Sequence, residues 1–151
     1  MKTISADTWI MSLPRDWLEK GATETGGFYF ESPDGEKGIY IASWNIADHD
    51  GGSAEEVAEF FKATDAKLLH KMEGYSWLTV EEQTSRAATS ITMVVDSLAE
   101  AESYRIVGKT LVSLPIVVRA SFQDYGCSDY AASQAFLAPL VESLQLQARQ
   151  N

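Results

Sequence analysis

The chain has 151 residues, of which 45% are hydrophobic, 11% aromatic and 23% charged. This length and balance are typical of a globular domain with a sizeable core, and they exclude a disordered or collagen-like chain. Twelve basic against 22 acidic residues give a formal net charge of −10, which disfavours direct binding of nucleic-acid phosphates. Such an acidic surface favours a cationic partner, although it also promotes solubility.

The cysteine content and the start of the chain bear on the compartment. Cys127 is the only cysteine, so no intramolecular disulfide and no cysteine-rich metal site can form, which fits a reducing compartment. Residues 1–14 lack the apolar run of a secretory signal, and no stretch approaches the roughly 20 apolar residues of a membrane helix. We therefore expect a cytoplasmic protein without membrane contact, in which residues 1–151 form a single domain.

The first third of the chain predicts strands and turns. Residues 8–13 form a short apolar run that Pro14 stops. Residues 28–31 and 38–44 flank the turn signal Ser32-Pro33-Asp34-Gly35, which predicts a hairpin. Both faces of the second strand carry apolar side chains, so we expect a helix to cover at least one of them.

A capping box, Ser53-Ala54-Glu55-Glu56, marks the start of the first helix. Side chains then recur at spacings of three and four and predict one apolar stripe along about five turns, ending at Gly74. The members of this stripe are Val57, Phe60, Phe61, Thr64, Leu68 and Met72.

The second half of the chain returns to a period of two, and residues 76–80, 87–97, 104–112 and 116–122 are predicted strands. In the last of these, Ile116, Val118, Ala120 and Phe122 would point inward, while Val117, Arg119, Ser121 and Gln123 would point outward, as in a half-covered antiparallel strand. Ser128 should cap a final helix, which Pro139 should kink or divide. The predicted fold class is α+β, with a largely antiparallel sheet of about six or seven strands and two main helices in an α/β/α sandwich.

Several motifs carry a resemblance to a known fold. They are Leu13-Pro14-Arg15-Asp16-Trp17, Phe30-Glu31-Ser32-Pro33-Asp34-Gly35, Tyr104-Arg105-Ile106, Val117-Val118-Arg119-Ala120-Ser121-Phe122 and Val141-Glu142-Ser143-Leu144-Gln145-Leu146. Together with the order of elements, they resemble the PsbP-like fold, which also contains the Ran-binding Mog proteins and the bacterial DcrB-like proteins. The resemblance implies a non-enzymatic adaptor, because members of this fold bind proteins or help to assemble complexes, and some bacterial members are chaperones of type VI secretion effectors. No motif maps residue by residue onto a known partner-binding surface.

Catalytic motifs are incomplete. Gly108-Lys109-Thr110 matches the end of a phosphate-binding loop, but Ser103 stands where that loop needs a glycine, and a strand pattern follows. A nucleophilic role for Cys127 would need a neighbouring histidine, and the sequence has only His49 and His70. The more common role for such a cysteine is a small packed thiol at a helix entrance. We expect no enzymatic activity.

Metal and acid-base sites are also incomplete. Asp48, His49 and Asp50 begin a pattern with a glutamate at the twelfth position, Glu59, but Gly52 occupies the fifth position of such a calcium loop. The carboxylate pairs Glu55-Glu56, Glu81-Glu82 and Glu100 with Glu102 are typical of solvated acids at helix starts, strand ends and turns. We expect neither a metal nor a cofactor.

The aromatic residues are more informative, since tryptophan and tyrosine dominate protein-interface hot spots. Ten of them outnumber what a core of this size needs: Trp9, Trp17, Trp44, Trp77, Tyr29, Tyr40, Tyr75, Tyr104, Tyr125 and Tyr130. Trp44 lies near Asp48 and Asp50, and Trp77 lies near Glu81 and Glu82. Aromatic anchors beside carboxylates would suit a basic protein surface, so these six residues are the candidate partner-binding site.

The leading functional hypothesis is a non-catalytic bacterial protein-binding domain, most specifically an immunity protein that neutralises a cationic toxin, such as a secreted nuclease effector. A second hypothesis is an effector chaperone or adaptor of a type VI secretion system, which would expose apolar grooves rather than an acidic patch. A third, from another class, is a small-ligand-binding or hydrolytic protein with a pocket between sheet and helices. The oligomeric state does not follow from the sequence.

Overall fold

The computed structural model describes residues 1–22, 27–47 and 52–147. Within these ranges the chain forms ten strands, two α-helices and one short 3₁₀ helix. They are β1 Lys2–Ser5, β2 Trp9–Leu13, β3 Leu18–Ala22, β4 Phe28–Glu31, β5 Lys37–Asn45, α1 Ala54–His70, β6 Leu78–Arg86, β7 Ile91–Ala99, the 3₁₀ helix Glu100–Glu102, β8 Tyr104–Ser113, β9 Ile116–Asp124, α2 Tyr130–Ser143 and β10 Gln145–Leu146.

The strands form two antiparallel sheets. The larger has seven strands in the order β3-β4-β5-β9-β8-β7-β6, and the smaller has three in the order β1-β2-β10. Alternate residues of β9 contact different helices, because Val117 packs with Val57 of α1 while Val118 packs in the core that contains Leu137 of α2. The helices therefore cover opposite faces of the seven-stranded sheet, which we call the α1 face and the α2 face. The predicted α+β class, with its largely antiparallel sheet and two main helices, is confirmed.

The main core lies on the α2 face, between the large sheet, α2 and the three-stranded sheet. Its largest members are almost completely buried, with Trp9 and Trp17 each 2% exposed and Phe122 fully buried. Burial of side chains of this size is the dominant source of folding free energy. Since β1, β2 and β10 also pack here, they anchor the start of the chain to the end of α2.

A smaller core lies on the α1 face and involves only the first turns of α1. The helix begins where the Ser53 hydroxyl accepts a hydrogen bond from Glu56 N at 3.1 Å, as the capping box predicts. Val57 and Ala58 are buried, but no later residue of the helix is. Part of the predicted apolar stripe is not buried, since Phe60 is 67% exposed and Leu68 is 52% exposed. The second half of α1 is therefore loosely packed against the sheet.

Other differences from the predictions have local causes. The cap of α2 is Asp129 rather than Ser128, because the Asp129 carboxylate accepts from Ala132 N at 3.2 Å. Pro139 does not divide α2, whose Leu137, Leu140 and Val141 stay packed on both sides of the proline. Strand β9 is covered on both faces rather than one, so the predicted outward residue Val117 is fully buried. No helix in the three described ranges is long and apolar enough to cross a membrane.

Candidate functional site: an aromatic strip beside a cavity

Six aromatic rings follow one another across the α1 face at one end of the large sheet. This aromatic strip consists of Tyr40, Tyr29, Tyr125, Tyr104, Trp77 and Tyr75. The hairpin β4-β5 supplies its first two members, which lie directly opposite each other in the register. The rest come from the residue that follows β9, the start of β8 and the segment between α1 and β6.

The rings contact one another throughout the strip. Tyr29 stacks on Tyr40 with ring centroids 4.3 Å apart, and its hydroxyl lies 3.2 Å from that of Tyr125. Tyr104 lies 5.4 Å from Tyr125 and 5.2 Å from Trp77, which stacks on Tyr75 at 6.0 Å. Such pairs add to the stability gained by burial. The strip is therefore a continuous, preorganised aromatic surface.

Carboxylates lie along the same end of the sheet and form what we call the acidic rim. Its members are Glu31, Asp34, Glu36, Glu100 and Glu102. Backbone hydrogen bonds from Tyr125 N to Glu36 O and from Cys127 N to Ser103 O, both 2.7 Å, hold the turns that carry these acids beside the strip. The pKa of Asp34 is lowered, chiefly by the hydrogen bond from the Ser32 hydroxyl, so this carboxylate stays charged.

Three tyrosine hydroxyls of the strip, those of Tyr29, Tyr104 and Tyr125, stay protonated. Burial raises the pKa of Tyr104 to about 12, and it also raises the pKa of Tyr29 and of Tyr125. The Tyr29 hydroxyl donates to Glu31 Oε2 at 3.0 Å, and the Tyr104 hydroxyl donates to Gln123 Oε1 at 2.9 Å. These three residues therefore present neutral hydroxyl groups and apolar ring faces at physiological pH.

A cavity of about 350 Å³ lies next to the strip, between the second half of α1 and strands β7, β8 and β9. Trp77 and Tyr104 belong to both the strip and the cavity wall. An ion pair crosses the gap, because Arg119 Nε donates to Asp65 Oδ2 at 2.8 Å. Burial raises the pKa of Asp65, and the Arg119 guanidinium opposes this change by stabilising the charged form.

Comparison with solved structures shows which known fold this chain shares. The chain resembles the solution structure of the cyanobacterial PsbP (CyanoP) from Synechocystis sp. PCC 6803, with a TM-score of 0.66 over 97% of this chain and 92% of that chain. The protein has a PsbP-like fold. Sequence identity to CyanoP is 11%, so the likeness is one of fold alone.

Two further solved structures align with the PsbP-like chain at a TM-score of 0.48. One is a crystal structure from Bacteroides thetaiotaomicron VPI-5482, with 13% identity over 93% of this chain and 45% of that chain. The other is a protein of unknown function from Pseudomonas aeruginosa, with 11% identity over 94% of this chain and 92% of that chain. No protein-family model matches the sequence, and no curated protein matches it either.

The PsbP-like structure separates the residues of the predicted partner-binding site. Trp77 lies in the aromatic strip, whereas Trp44 lies at the other end of the sheet and packs on Phe61, with ring centroids 5.2 Å apart. Asp48 and Asp50 lie outside the described residues. The structure therefore does not bring the two tryptophans together.

The two predicted glutamates of β6 are also separated. Glu82 lies on the α1 face and pairs with Lys62 at 3.6 Å, whereas Glu81 lies opposite Asp96 on the α2 face and accepts from Gln83. The sequence shows the five tyrosines of the strip as surplus aromatics, but no sequence pattern groups them. Strand pairing, rather than any local motif, brings them together.

Among the described residues, Cys127 and the segment Gly108-Lys109-Thr110 have structural contacts. Cys127 is buried, and this burial raises the pKa of its thiol, so the thiolate is disfavoured. Gly108, Lys109 and Thr110 lie in the middle of β8, where the Lys109 ammonium donates to Val141 O and Leu144 O. Among the residues with described positions, no group of three or more His, Cys, Asp or Glu side chains could hold a metal ion. His49, the second residue of the acidic loop, is outside those positions.

Proposed function

We propose that this protein is a non-catalytic protein-binding domain and that the aromatic strip with its acidic rim is the docking surface. The observation that carries the proposal is the unbroken row of six rings on one face. Three of them are well exposed, with Tyr40 41%, Tyr75 38% and Tyr125 37% accessible. Tyrosine and tryptophan at such positions supply rigid contact area at a low cost in side-chain entropy.

The charge distribution supports a cationic partner. The five carboxylates of the rim lie beside the strip, and the whole chain has a net charge of −10. Complementary charge speeds association and selects among partners, while the aromatic contacts supply most of the affinity. In its most specific form, the proposal is an immunity protein that covers the basic surface of a toxin. The exposed aromatic rings would also serve an effector chaperone, for which an apolar target is expected.

The absence of catalysis is part of the proposal. A cysteine protease or related enzyme needs a thiolate beside a histidine. Burial raises the pKa of the Cys127 thiol and so disfavours its ionisation. The thiol contacts Ser133 of α2, whereas His70 lies on α1, on the opposite side of the sheet. His49 lies outside the described residues, so among the positions that are described the arrangement supports a binding role over nucleophilic chemistry.

Site-specific photo-crosslinking tests the docking surface. A photoreactive phenylalanine analogue replaces Tyr40 or Tyr75 in the strip, and in the control it replaces Phe136, which is 43% exposed but lies on α2. We expect a discrete adduct from the two strip positions in cells of the source organism and none from position 136. Equal adducts from all three positions, or none from the strip, would contradict the proposal.

Salt dependence separates the immunity protein from the effector chaperone. If the acidic rim contributes, recovery of the crosslinked protein by affinity capture should fall steeply from low to high ionic strength. The reason is that exposed charges are screened beyond about 8 Å at physiological salt. An apolar chaperone target should instead be retained at high salt. The product of the neighbouring open reading frame is the first candidate to compare with the captured protein.

A further inference from the structure

The cavity under α1 is large enough to hold a small ligand. Protein interiors contain few voids larger than a water molecule, and ligand pockets begin at about 300 Å³. The volume here is about 350 Å³. It lies where the helix is loosely packed, while the first turns of the same helix, around Val57 and Ala58, are buried against the sheet. One half of α1 is therefore anchored and the other half roofs a space.

Two residues explain why the space exists. Gly108 lies on its floor, and a Cβ built there would be 3.9 Å from Asp65 Oδ2. Asp65 extends over this glycine to reach Arg119 on β9, so the ion pair acts as a spacer between helix and sheet. Ala63 and Ala66, which also line the cavity, are too small to fill it. The cavity is thus built from small residues around a polar support.

The walls combine apolar side chains with a few polar atoms. Met93, Val95 and Ile106 rise from the sheet, Leu69 and Met72 come from the helix side, and Trp77 closes one end. The Trp77 indole nitrogen is shielded from solvent and has no hydrogen-bond partner among the residues whose positions are described. Because less than 1 Å² of this nitrogen is accessible, a group in the cavity does not reach it, and Trp77 lines the cavity with its apolar ring.

The acidic, lysine and arginine side chains of the cavity wall are already paired. Asp65 binds Arg119, and Lys62 lies 3.6 Å from Glu82. A charged ligand would leave water without gaining a counter-charge from these groups, which is costly. The site therefore favours a neutral ligand.

We propose that this cavity binds a neutral, largely apolar small molecule that carries a flat aromatic ring system. The ring would lie among Met93, Val95 and Ile106, beside the indole ring of Trp77. Because Trp77 and Tyr104 also belong to the strip, an occupied cavity would stiffen one end of the docking surface.

Titration with a fluorescent probe of this class tests the site. 6-Propionyl-2-dimethylaminonaphthalene is neutral, carries a ketone and shifts its emission to the blue in apolar surroundings. We expect saturable binding of one probe per chain. The anionic 8-anilinonaphthalene-1-sulfonate should bind at least tenfold more weakly, and equal affinity for the two dyes would overturn the assignment to neutral ligands.

Matched variants locate the bound probe. Val95→Phe fills the cavity from β7, whereas Val94→Phe makes the same change on the neighbouring residue, which lines a groove on the α2 face. We expect Val95→Phe to weaken binding at least tenfold and Val94→Phe to change it less than twofold. Wild-type affinity in folded Val95→Phe, or no saturable binding by the wild type, would overturn the proposal.

A measurement on the wild type keeps the test valid if Val95→Phe does not fold. The four tryptophans give separate indole N–H signals in a ¹H–¹⁵N spectrum, which single Trp→Phe changes assign. Probe binding should move the signal of Trp77 and leave those of Trp9 and Trp17, both buried in the main core, in place. Movement of the Trp9 or Trp17 signal without that of Trp77 would place the probe elsewhere and overturn the proposal.

Discussion

Gly38 lies directly beneath the ring of Tyr29: a Cβ built on Gly38 would be 2.5 Å from the Tyr29 hydroxyl oxygen and 2.7 Å from Cε2. The bare backbone at this position of β5 lets the ring lie across the strand. From there Tyr29 stacks on Tyr40, its neighbour in the register, and its hydroxyl reaches that of Tyr125. A single glycine thus allows the first three rings of the aromatic strip to meet.

The substitution Gly38→Ala should disrupt this end of the strip. The new methyl group would force the Tyr29 ring away, with the loss of the stacked pair and of the hydroxyl contact, each worth about 1 kcal/mol. We expect the free energy of unfolding to fall by about 1–2 kcal/mol in urea titrations, together with weaker crosslinking from position 40. Gly108→Ala is the matched control, because its Cβ would make only an ordinary contact at 3.9 Å. Equal losses in both variants would show that removing a strand glycine, rather than moving Tyr29, is responsible.

The ionisation of Tyr104 offers a spectroscopic check on the strip. Burial raises the pKa of this phenol to about 12, against an ordinary value near 10. The difference between the alkaline absorbance titrations of the wild type and Tyr104→Phe should therefore be centred near pH 12, with circular dichroism recording the fold over the same range. A difference curve centred near pH 10 would mean that Tyr104 is open to solvent and the strip is not packed as described.

How much of this could be predicted from the sequence depends on how local each signal is. The hairpin of Phe28–Glu31 and Lys37–Asn45 agrees with its prediction within one residue at each end, because its turn residues lie between two apolar runs. The capping box, which needs only four adjacent residues, places the start of α1 at Ala54. Both signals are complete within a few adjacent residues.

Other elements carry weak signals. Strands β1 and β10 have four and two residues, too few to show a period. Strand β6 is exposed along all nine residues, so its polar sequence lacks the alternation that marks a half-buried strand, and its prediction covered only residues 76–80. These strands form because neighbouring strands pair with them.

The candidate site is the least local feature of all. Tyr29 and Tyr125 are separated by 96 residues, and their hydroxyls meet only because β5 lies beside β9 in the sheet order. A prediction from sequence neighbours instead joined Trp77 to Glu81 and Glu82, which alternate between the two faces of β6. The surplus of aromatic residues is visible in the composition, but their arrangement requires the strand order.

The ion pair between Arg105 and Asp96 should be far more important for stability than the exposed pair between Arg86 and Glu55. Arg105 donates to both Asp96 oxygens at 2.9 Å and to Ser133 at 3.0 Å, and only 4% of Arg105 is exposed. Removing one partner of a buried pair leaves the other charge unpaired. We expect Arg105→Leu to lower the free energy of unfolding by about 3–5 kcal/mol.

The exposed pair supplies the control for this measurement. Arg86→Leu removes an arginine whose side chain is 59% exposed, so solvent already screens its charge. Its expected cost is below about 1 kcal/mol. If the two leucine variants unfold at the same urea concentration, the buried pair contributes no more than a surface pair, contrary to the prediction.

Lys109 should make the stability of the protein depend on pH in the alkaline range. Its ammonium donates to Val141 O at 2.6 Å and to Leu144 O at 2.8 Å, two carbonyls at the end of α2. Burial nevertheless lowers the pKa of Lys109 to about 8, from an ordinary value of 10.5. Between these two values the unfolded chain holds the proton more tightly than the folded one, so stability rises with pH.

The variant Lys109→Met isolates this contribution. The difference in unfolding free energy between the wild type and Lys109→Met should increase from pH 8 to pH 10.5 by up to about 3 kcal/mol, the equivalent of the pKa change. Lys109→Arg is the control that keeps a cation but cannot lose its proton in this range, so it should also lack the rise. The neutral amine of Lys109 still has two N–H groups, which can donate to the carbonyls of Val141 and Leu144. The wild type should therefore gain stability without a change in structure. A difference that stays flat or falls as the pH is raised would mean that the buried amine is already charged without penalty.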